Sequence, residues 1–289
     1  MHYKKGDLMG GINERDRYKV IDVNWGGMGI VYIVVDNFWE KIFAIKTFQD
    51  EFFYSEKVVR DFYHEAEIWI LLGSHKNVVE AKYVIEIDYK PHLIMEYVDG
   101  GSLKDRLRSW RLDYKEALSF AIQFCDGMIY ANSVNLGEGG RGIVHCDIKP
   151  GNIMLTKGNA LKITDFGLVK ALGFPTAEKP SGTPEYMSPE QFRTMDVDAR
   201  SDIYSFGIVL YEMLTGKRPF PEPRQPSLRW EHYKDYQQSA LPRLPQDIQP
   251  AMPKELGQII LRCLEKRPEN RCQSFVELRD ELMEIYLSL

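Results

Sequence analysis

The sequence predicts an α+β protein in two parts: a small β-rich N-terminal part with one main helix, and a larger, mostly helical C-terminal part. Three observations predict this. Up to Tyr97 the chain runs mainly through β-branched and aromatic stretches, with one helical pattern among them. After Asp99-Gly100-Gly101 the apolar residues recur at helical spacing instead. The 289 residues also exceed one typical domain of ~100–200, so two lobes or domains are expected, here residues 1–98 and 99–289.

YKVIDVN, IVYIVVD and KIFAIKTF predict three antiparallel strands. The first turn between them is the cluster Gly26-Gly27-Met28-Gly29, and the second falls at residues 36–40. Residues 56–72 place Val59, Phe62, Ala66, Trp69 and Ile70 on one side of a helix. Residues 77–88 and 92–97 read as two further strands, giving the N-terminal part five strands and one helix. Beyond the glycine pair, residues 112–133 predict a long amphipathic helix with Leu118, Ile122, Phe124, Cys125 and Ile129 as core candidates. Residues 201–215, 253–264 and 274–287 predict three more helices. Residues 137–189 predict short strands and loops, and the proline-rich, polar residues 219–253 predict surface loop with short helical pieces. The most apolar segment, 203–214, is too short for a bilayer, which takes about 20 residues, and predicts a buried helix. The apolar ending EIYLSL fits either a docked terminal helix or a piece of a longer chain.

Composition excludes several function classes. Apolar content of 44%, charged content of 27% and a net charge of -5, without a run of five like charges, leave no electrostatic footprint for nucleic acid. The four cysteines form no C-x-x-C pair, so zinc spacing is absent and free thiols in a reducing, cytoplasmic setting are expected. Residues 1–11 lack the apolar stretch of a signal peptide, and no membrane segment is expected in this chain.

The residues that carry chemistry come in an order. Gly26 and its neighbours let backbone N–H groups approach phosphate oxygens, although a glycine-rich hairpin turn reads the same way. Lys46, in an apolar strand, wants an acidic partner such as Glu65 or Glu67, unless it sits on a solvated strand face. His145-Cys146-Asp147-Ile148-Lys149-Pro150-Gly151-Asn152 packs an acid, a lysine and a carboxamide into turn-forming sequence. Asp165-Phe166-Gly167 comes after a short strand pattern and suits a carboxylate reaching a cation, with a solvated or capping Asp as the plain alternative.

Taken together, G-x-x-G, A-I-K, a helix Glu, H-x-D-x-K-x-x-N, D-F-G and Ser188-Pro189-Glu190 match the protein-kinase signature in order and spacing. The chain resembles, over residues 17–285, the bacterial branch of the eukaryotic-type serine/threonine kinases, whose fold is bilobal. That resemblance implies a role for each matching residue. Gly26, Gly27 and Gly29 lie in the loop covering the ATP phosphates, with Asn24 where the first glycine is usual. Val31 and Ala44 lie above the adenine ring, Met154 below it and Met95 behind it, while Glu96 and Val98 offer backbone groups to its edge. Lys46 holds the α- and β-phosphates and pairs with Glu65, which H-E-A-E-I aligns with the family's helix acid. Asp147 is the catalytic base, Asn152 and Asp165 bind magnesium (or manganese), and Lys149 and Thr183 go with serine/threonine specificity. Glu190 pairs with Arg271, and Asp202 anchors the catalytic loop.

The activity implied by the resemblance is transfer of the ATP γ-phosphate to serine or threonine hydroxyls of protein substrates. The alternatives are a pseudokinase, acting as a nucleotide-binding or scaffolding module, and a small-molecule kinase, which would lack the G-T-P-E-Y-M-S-P-E segment. One departure stands out. Cys146 replaces the arginine that many kinases use to bind a phosphorylated activation loop, and a thiol cannot form that charge-assisted pair. Activity independent of such phosphorylation is therefore expected, with Thr176, Ser181 and Thr183 open to autophosphorylation. Cys146 reads as a buried thiol, with a redox role as the alternative.

Overall fold

The computed structural model describes residues 2–10, 17–26, 29–52, 54–109, 112–135, 142–166, 182–194, 197–223, 225, 227 and 229–289. Gly27, Gly167, Thr176, Ser181 and the glycines at 137, 139 and 140 lie outside them. The chain divides into two compact units, Met1–Asp99 and Gly100–Leu289.

The first unit is built on a six-stranded antiparallel sheet: β1 (Leu8–Met9), β2 (Tyr18–Trp25), β3 (Gly29–Asp36), β4 (Lys41–Phe48), β5 (Ala81–Ile87) and β6 (Lys90–Glu96), in the order β1-β2-β3-β4-β6-β5. The expected count of five omits β1. Two residues cannot display the alternation that marks a strand, yet Met9 is buried in a core with Tyr18, Val20, Tyr32, Val34, Ile45 and Ile94. Helix α1 (Glu56–Leu72) starts where the Ser55 side chain accepts from the Val58 N–H. It buries Phe62, Ala66, Ile68, Trp69 and Leu72, and the Trp69 indole donates to the Val79 carbonyl at 2.9 Å. Val59 and Ile70, expected on the core side, are only half-buried.

The second unit is mostly helical: α2 (Leu103–Ser109), α3 (Tyr114–Ser133), α4 (Ala199–Thr215), α5 (Arg229–Ser239), α6 (Pro245–Ile248), α7 (Lys254–Cys263) and α8 (Phe275–Ser288), with a small ribbon of β7 (Ile153–Leu155) and β8 (Leu161–Ile163). Helix α4 is the apolar segment read from the sequence, and it is buried on nearly every side. Phe206 on α4 stacks on Phe124 of α3 at 4.0 Å, with Phe275 of α8 edge-on to the same ring. A Cβ at Gly207 would meet Cys263 Cβ at 2.7 Å, so only glycine allows α7 to pass this close. One helix corrects the sequence reading: residues 103–109 carry no pattern that predicts an element, whereas α5 is one of the helical pieces expected within residues 219–253. Each buries too little to show an apolar stripe: α2 only Leu103, and α5 only Tyr233 and Gln237.

Candidate active site

In the first unit the sheet register places the candidate residues. Residues directly opposite one another share a face, and alternate residues along a strand do too. The pairs Asn24↔Val31, Val31↔Lys46 and Lys46↔Leu93 therefore form one row. Ile33↔Ala44 and Ala44↔Met95 form the next row on the same face. Asn24, Val31, Ala44, Lys46 and Met95 thus line one side of the sheet. The Lys46 ammonium lies 5.9 Å from the Trp69 ring centroid. Trp69 is one helical turn beyond Glu65 on the same face of α1, and Glu65 is half-buried whereas Glu67 is exposed.

At the turn, Gly26 N–H donates to the Gly29 carbonyl at 2.8 Å, and Gln49 Nε2 donates to the Gly26 carbonyl at 2.8 Å. Asn24, whose tolerance of unusual backbone angles could have mattered, needs none of it: it sits in regular strand without a positive φ. Glu96 donates its N–H to the Glu80 carbonyl, and its carboxylate accepts the Glu80 N–H. That side chain and the Glu96 N–H are thus both committed to Glu80, just before β5, and the Glu96 carbonyl takes no part in either bond. Val98 is buried.

The second unit holds a closed triangle. Lys149 Nζ donates to Asp147 Oδ2 at 2.6 Å and to Thr183 Oγ1 at 2.9 Å, and the Thr183 hydroxyl donates to Asp147 Oδ1 at 2.8 Å. Asn152 Nδ2 donates to the Asp147 carbonyl at 2.9 Å and to Asp147 Oδ2 at 3.1 Å. With its nitrogen so committed, the Asn152 amide presents Oδ1 as its remaining acceptor. Gly182, at φ 133°, leads into Thr183, and a Cβ there would meet the Cys146 carbonyl at 3.1 Å. Asp165 is half-buried on a left-handed backbone at φ 66°, and Thr164 N–H donates to the Asn152 carbonyl at 3.0 Å. Met154 on β7 bridges to Ser102.

This loop is pinned from below. Asp202 on α4 accepts the His145 N–H at 2.7 Å and the Cys146 N–H at 2.9 Å. Complete burial raises its carboxyl to about 6, against the pull of His145 and the two N–H groups. His145 Nδ1 accepts the Asp147 N–H at 3.3 Å, so the tautomer carrying its proton on Nε2 also satisfies the Thr164 carbonyl at 3.1 Å. Cys146 is buried beside Val144 and Val197 at φ 65°. Its carbonyl accepts from Gln191 Nε2 at 2.9 Å, and Gln191 Oε1 accepts from the Ser188 N–H and hydroxyl. Sequence reasoning assigns Gln191 no role, and a glutamine after S-P-E carries no local signal by which to find it.

Arg271 grips both Glu190 oxygens at 2.7 and 2.8 Å and also donates to three backbone carbonyls, at Arg200, Glu265 and Lys266. Burial pushes the Glu190 carboxyl up, but Arg271 and the Ser201 hydroxyl outweigh it and hold it below its ordinary range.

An acid fixed by a lysine and a carboxamide of its own loop, and by a threonine 36 residues further on, can accept a proton from a hydroxyl, while the lysine can hold a neighbouring oxyanion. A protein kinase domain model matches residues 22–283. The chain belongs to the protein kinase domain family. It is 36% identical over 93% of its length to a protein of Clostridium acetobutylicum named "Probable serine/threonine-protein kinase", and 35% identical to one of the same description from Clostridium perfringens. It is also 31% identical, over 94% of its length, to the serine/threonine-protein kinase PknB of Mycobacterium leprae. This kinase domain spans 40%, 38% and 43% of those three relatives, respectively.

Proposed function

We propose that this domain transfers the γ-phosphate of ATP to serine and threonine hydroxyls of protein substrates. The observation that carries the reading is the Asp147–Lys149–Thr183 triangle. Asp147 accepts the proton of the acceptor hydroxyl, with Asn152 and Lys149 fixing its carboxylate. Lys149 then steadies the moving phosphoryl group. Catalysis of this kind is positioning plus charge neutralisation.

For the nucleotide, Lys46 takes the α- and β-phosphates and Glu65 orients it. Gly26, Gly27 and Gly29 cover the phosphates, beside Asn24. Val31, Ala44, Met95 and Met154 supply apolar contact to the adenine, and the backbones of Glu96 and Val98 read its edge. Asn152 Oδ1 and the Asp165 carboxylate fit magnesium, or manganese. They are hard oxygen donors too few for a complete cage, which suits an ion that completes its shell with phosphate oxygens. Magnesium held by Asn152 and Asp165 would offset the charge of the transferring phosphoryl group.

Activity independent of activation-loop phosphorylation is part of the proposal, supported by the buried Cys146, whose thiol faces the Val144 carbonyl at 3.8 Å. Autophosphorylation remains compatible with it. A cytoplasmic setting is supported by the four buried cysteines, none of which is in a disulfide. No helix among the described residues is long and apolar enough to cross a membrane. The test is transfer of radiolabel from ATP to mixed protein substrates, with Asp147→Asn as control and phosphoamino-acid identification. Phosphoserine and phosphothreonine, lost in the variant and insensitive to phosphatase pretreatment, are expected. Nucleotide binding without transfer, or phosphotyrosine as main product, overturns the reading.

A further inference from the structure

Residues 182–187 carry Thr183, and a buried side chain ties their backbone to α5. Gln237 Nε2 donates to the Glu185 carbonyl at 3.0 Å, and its Oε1 accepts from the Tyr204 hydroxyl at 2.5 Å. The Tyr204 oxygen accepts from Lys266 Nζ at 3.2 Å, and the same ammonium donates to the Tyr236 carbonyl at 3.2 Å. Gln237 and Tyr204 are completely buried. The Lys266 ammonium lies 4.5 Å from the Phe220 ring centroid and 5.7 Å from that of Tyr204, so aromatic faces stand where a carboxylate would be expected.

The direction of this relay is set by the chemistry of its ends. An ammonium can only donate, so the Tyr204 oxygen must accept from it and point its own hydrogen at Gln237. The hydroxyl claims Oε1, which leaves the amide N–H to face the Glu185 carbonyl. Lys266 thereby fixes which end of a buried amide meets the segment two residues beyond Thr183. Misdirecting that amide would leave two buried polar groups unpaired. The same segment is held by a second kind of contact: Met187 packs on Phe192 and Tyr233, with Trp230 against them.

We infer that Gln237, oriented through Tyr204 by Lys266, is a positioning residue that sets residues 182–187 for the acceptor peptide. It rests on the phosphotransfer reading above and extends it to a residue outside the motifs. Gln237 touches no reacting group. Its effect passes along the backbone from Glu185 to Thr183, within a turn closed by the Tyr186 N–H donating to the Thr183 carbonyl at 2.9 Å, and so to Asp147.

The experiment compares Gln237→Leu, Tyr204→Phe and Lys266→Met with Tyr211→Phe. Tyr211 lies on the same helix as Tyr204, and its buried hydroxyl has no hydrogen-bond partner among the described residues, so that variant removes an equivalent atom outside the relay. The readouts are KM for an acceptor peptide, affinity for ATP, kcat, thermal unfolding and hydrogen exchange at residues 182–188. Losing one buried hydrogen bond of this kind should raise peptide KM by about tenfold in Gln237→Leu and Tyr204→Phe. ATP affinity should stay within about twofold, since uniform binding to the peptide alone is affected. Exchange at residues 182–188 should rise in the three relay variants and not in Tyr211→Phe. Equal losses in peptide KM, ATP affinity and thermal stability would make the relay merely structural and overturn the inference. So would unchanged exchange at 182–188 in all three. If the wild-type domain transfers no phosphate at all, the proposed function fails, and the exchange readout still decides the relay.

Discussion

Lys46 and Asp147 are held by different means. In Met1–Asp99 the candidate groups are aligned by strand register: Asn24, Val31, Lys46 and Leu93 form one row because their backbones pair. In Gly100–Leu289 the groups sit on loops, and side chains distant in sequence pin them. Asp202 reaches back 57 residues to His145, and Arg271 reaches 81 residues to Glu190. A register spreads its hold over many backbone hydrogen bonds, each of modest net worth. A pinned loop concentrates it in a few buried charged groups, each costly to leave unpaired. Single substitutions should therefore act gradually in the first unit and abruptly in the second.

The largest effect expected is on the pinned loop. Asp147→Asn should lower phosphotransfer by about 10²–10⁴-fold, the usual worth of a positioned base, with nucleotide affinity retained. Steady-state kinetics beside a nucleotide titration reads both, and a rate within tenfold of wild type would break the contrast.

Next comes the Glu190–Arg271 pair. Replacing Arg271 with methionine strands a largely buried carboxylate and three carbonyls, at a cost of about 3–5 kcal/mol. Chemical denaturation monitored by hydrogen exchange should show the loss in residues 100–289 and leave the first unit's amides unchanged. Uniform loss across the chain would count against the contrast.

One buried group in each unit should also respond to acid with opposite sign. Burial pulls His92, in the first unit, down to about 4, with the Lys90 carbonyl opposing. Between about 6.5 and 4 the unfolded chain binds a proton that the folded unit refuses. Its contribution is thus fully present above 6.5 and is lost as pH falls, by up to about 3 kcal/mol. Asp202, at about 6 in the fold against an ordinary 3.8, does the reverse. The folded unit keeps a proton that the unfolded chain has released, so its contribution is present at low pH and disappears as pH rises through 6. Hydrogen exchange from pH 7 to 4.5, corrected for intrinsic rates, should show the steeper acid loss in the first unit. His92→Phe should flatten that slope, and an unchanged slope would remove His92 from the account.

The smallest effect concerns helix starts, one in each unit. Ser274 accepts the Glu277 N–H at 3.1 Å, whereas Ser55 accepts the Val58 N–H at 3.4 Å. Ser274→Ala should cost about 1 kcal/mol and Ser55→Ala less, within the usual range for such caps. Equal costs in thermal melts would show that cap geometry does not discriminate at this level.

Much of the fold is legible in the sequence where the signal is local. The runs YKVIDVN, IVYIVVD and KIFAIKTF form β2, β3 and β4, and the apolar residues 203–214 form the body of α4. Spacing puts Asp147, Lys149 and Asn152 on one turn, and the turn indeed brings them together. The strand β1, the helix α2 and the contacts of Gln191 and Gln237 are not legible. Gln191 and Gln237 meet partners 45 and 52 residues away, and segments that bury only one or two positions leave no periodic mark.

By itself the sequence determined the order of elements and the inventory of chemical groups, because backbone propensity and apolar periodicity act over a few residues. Only the tertiary structure decided which buried polar atoms meet. A buried hydrogen bond such as Gln237 to the Glu185 carbonyl depends on two segments being folded against each other, and that closure is absent from any local stretch of the chain.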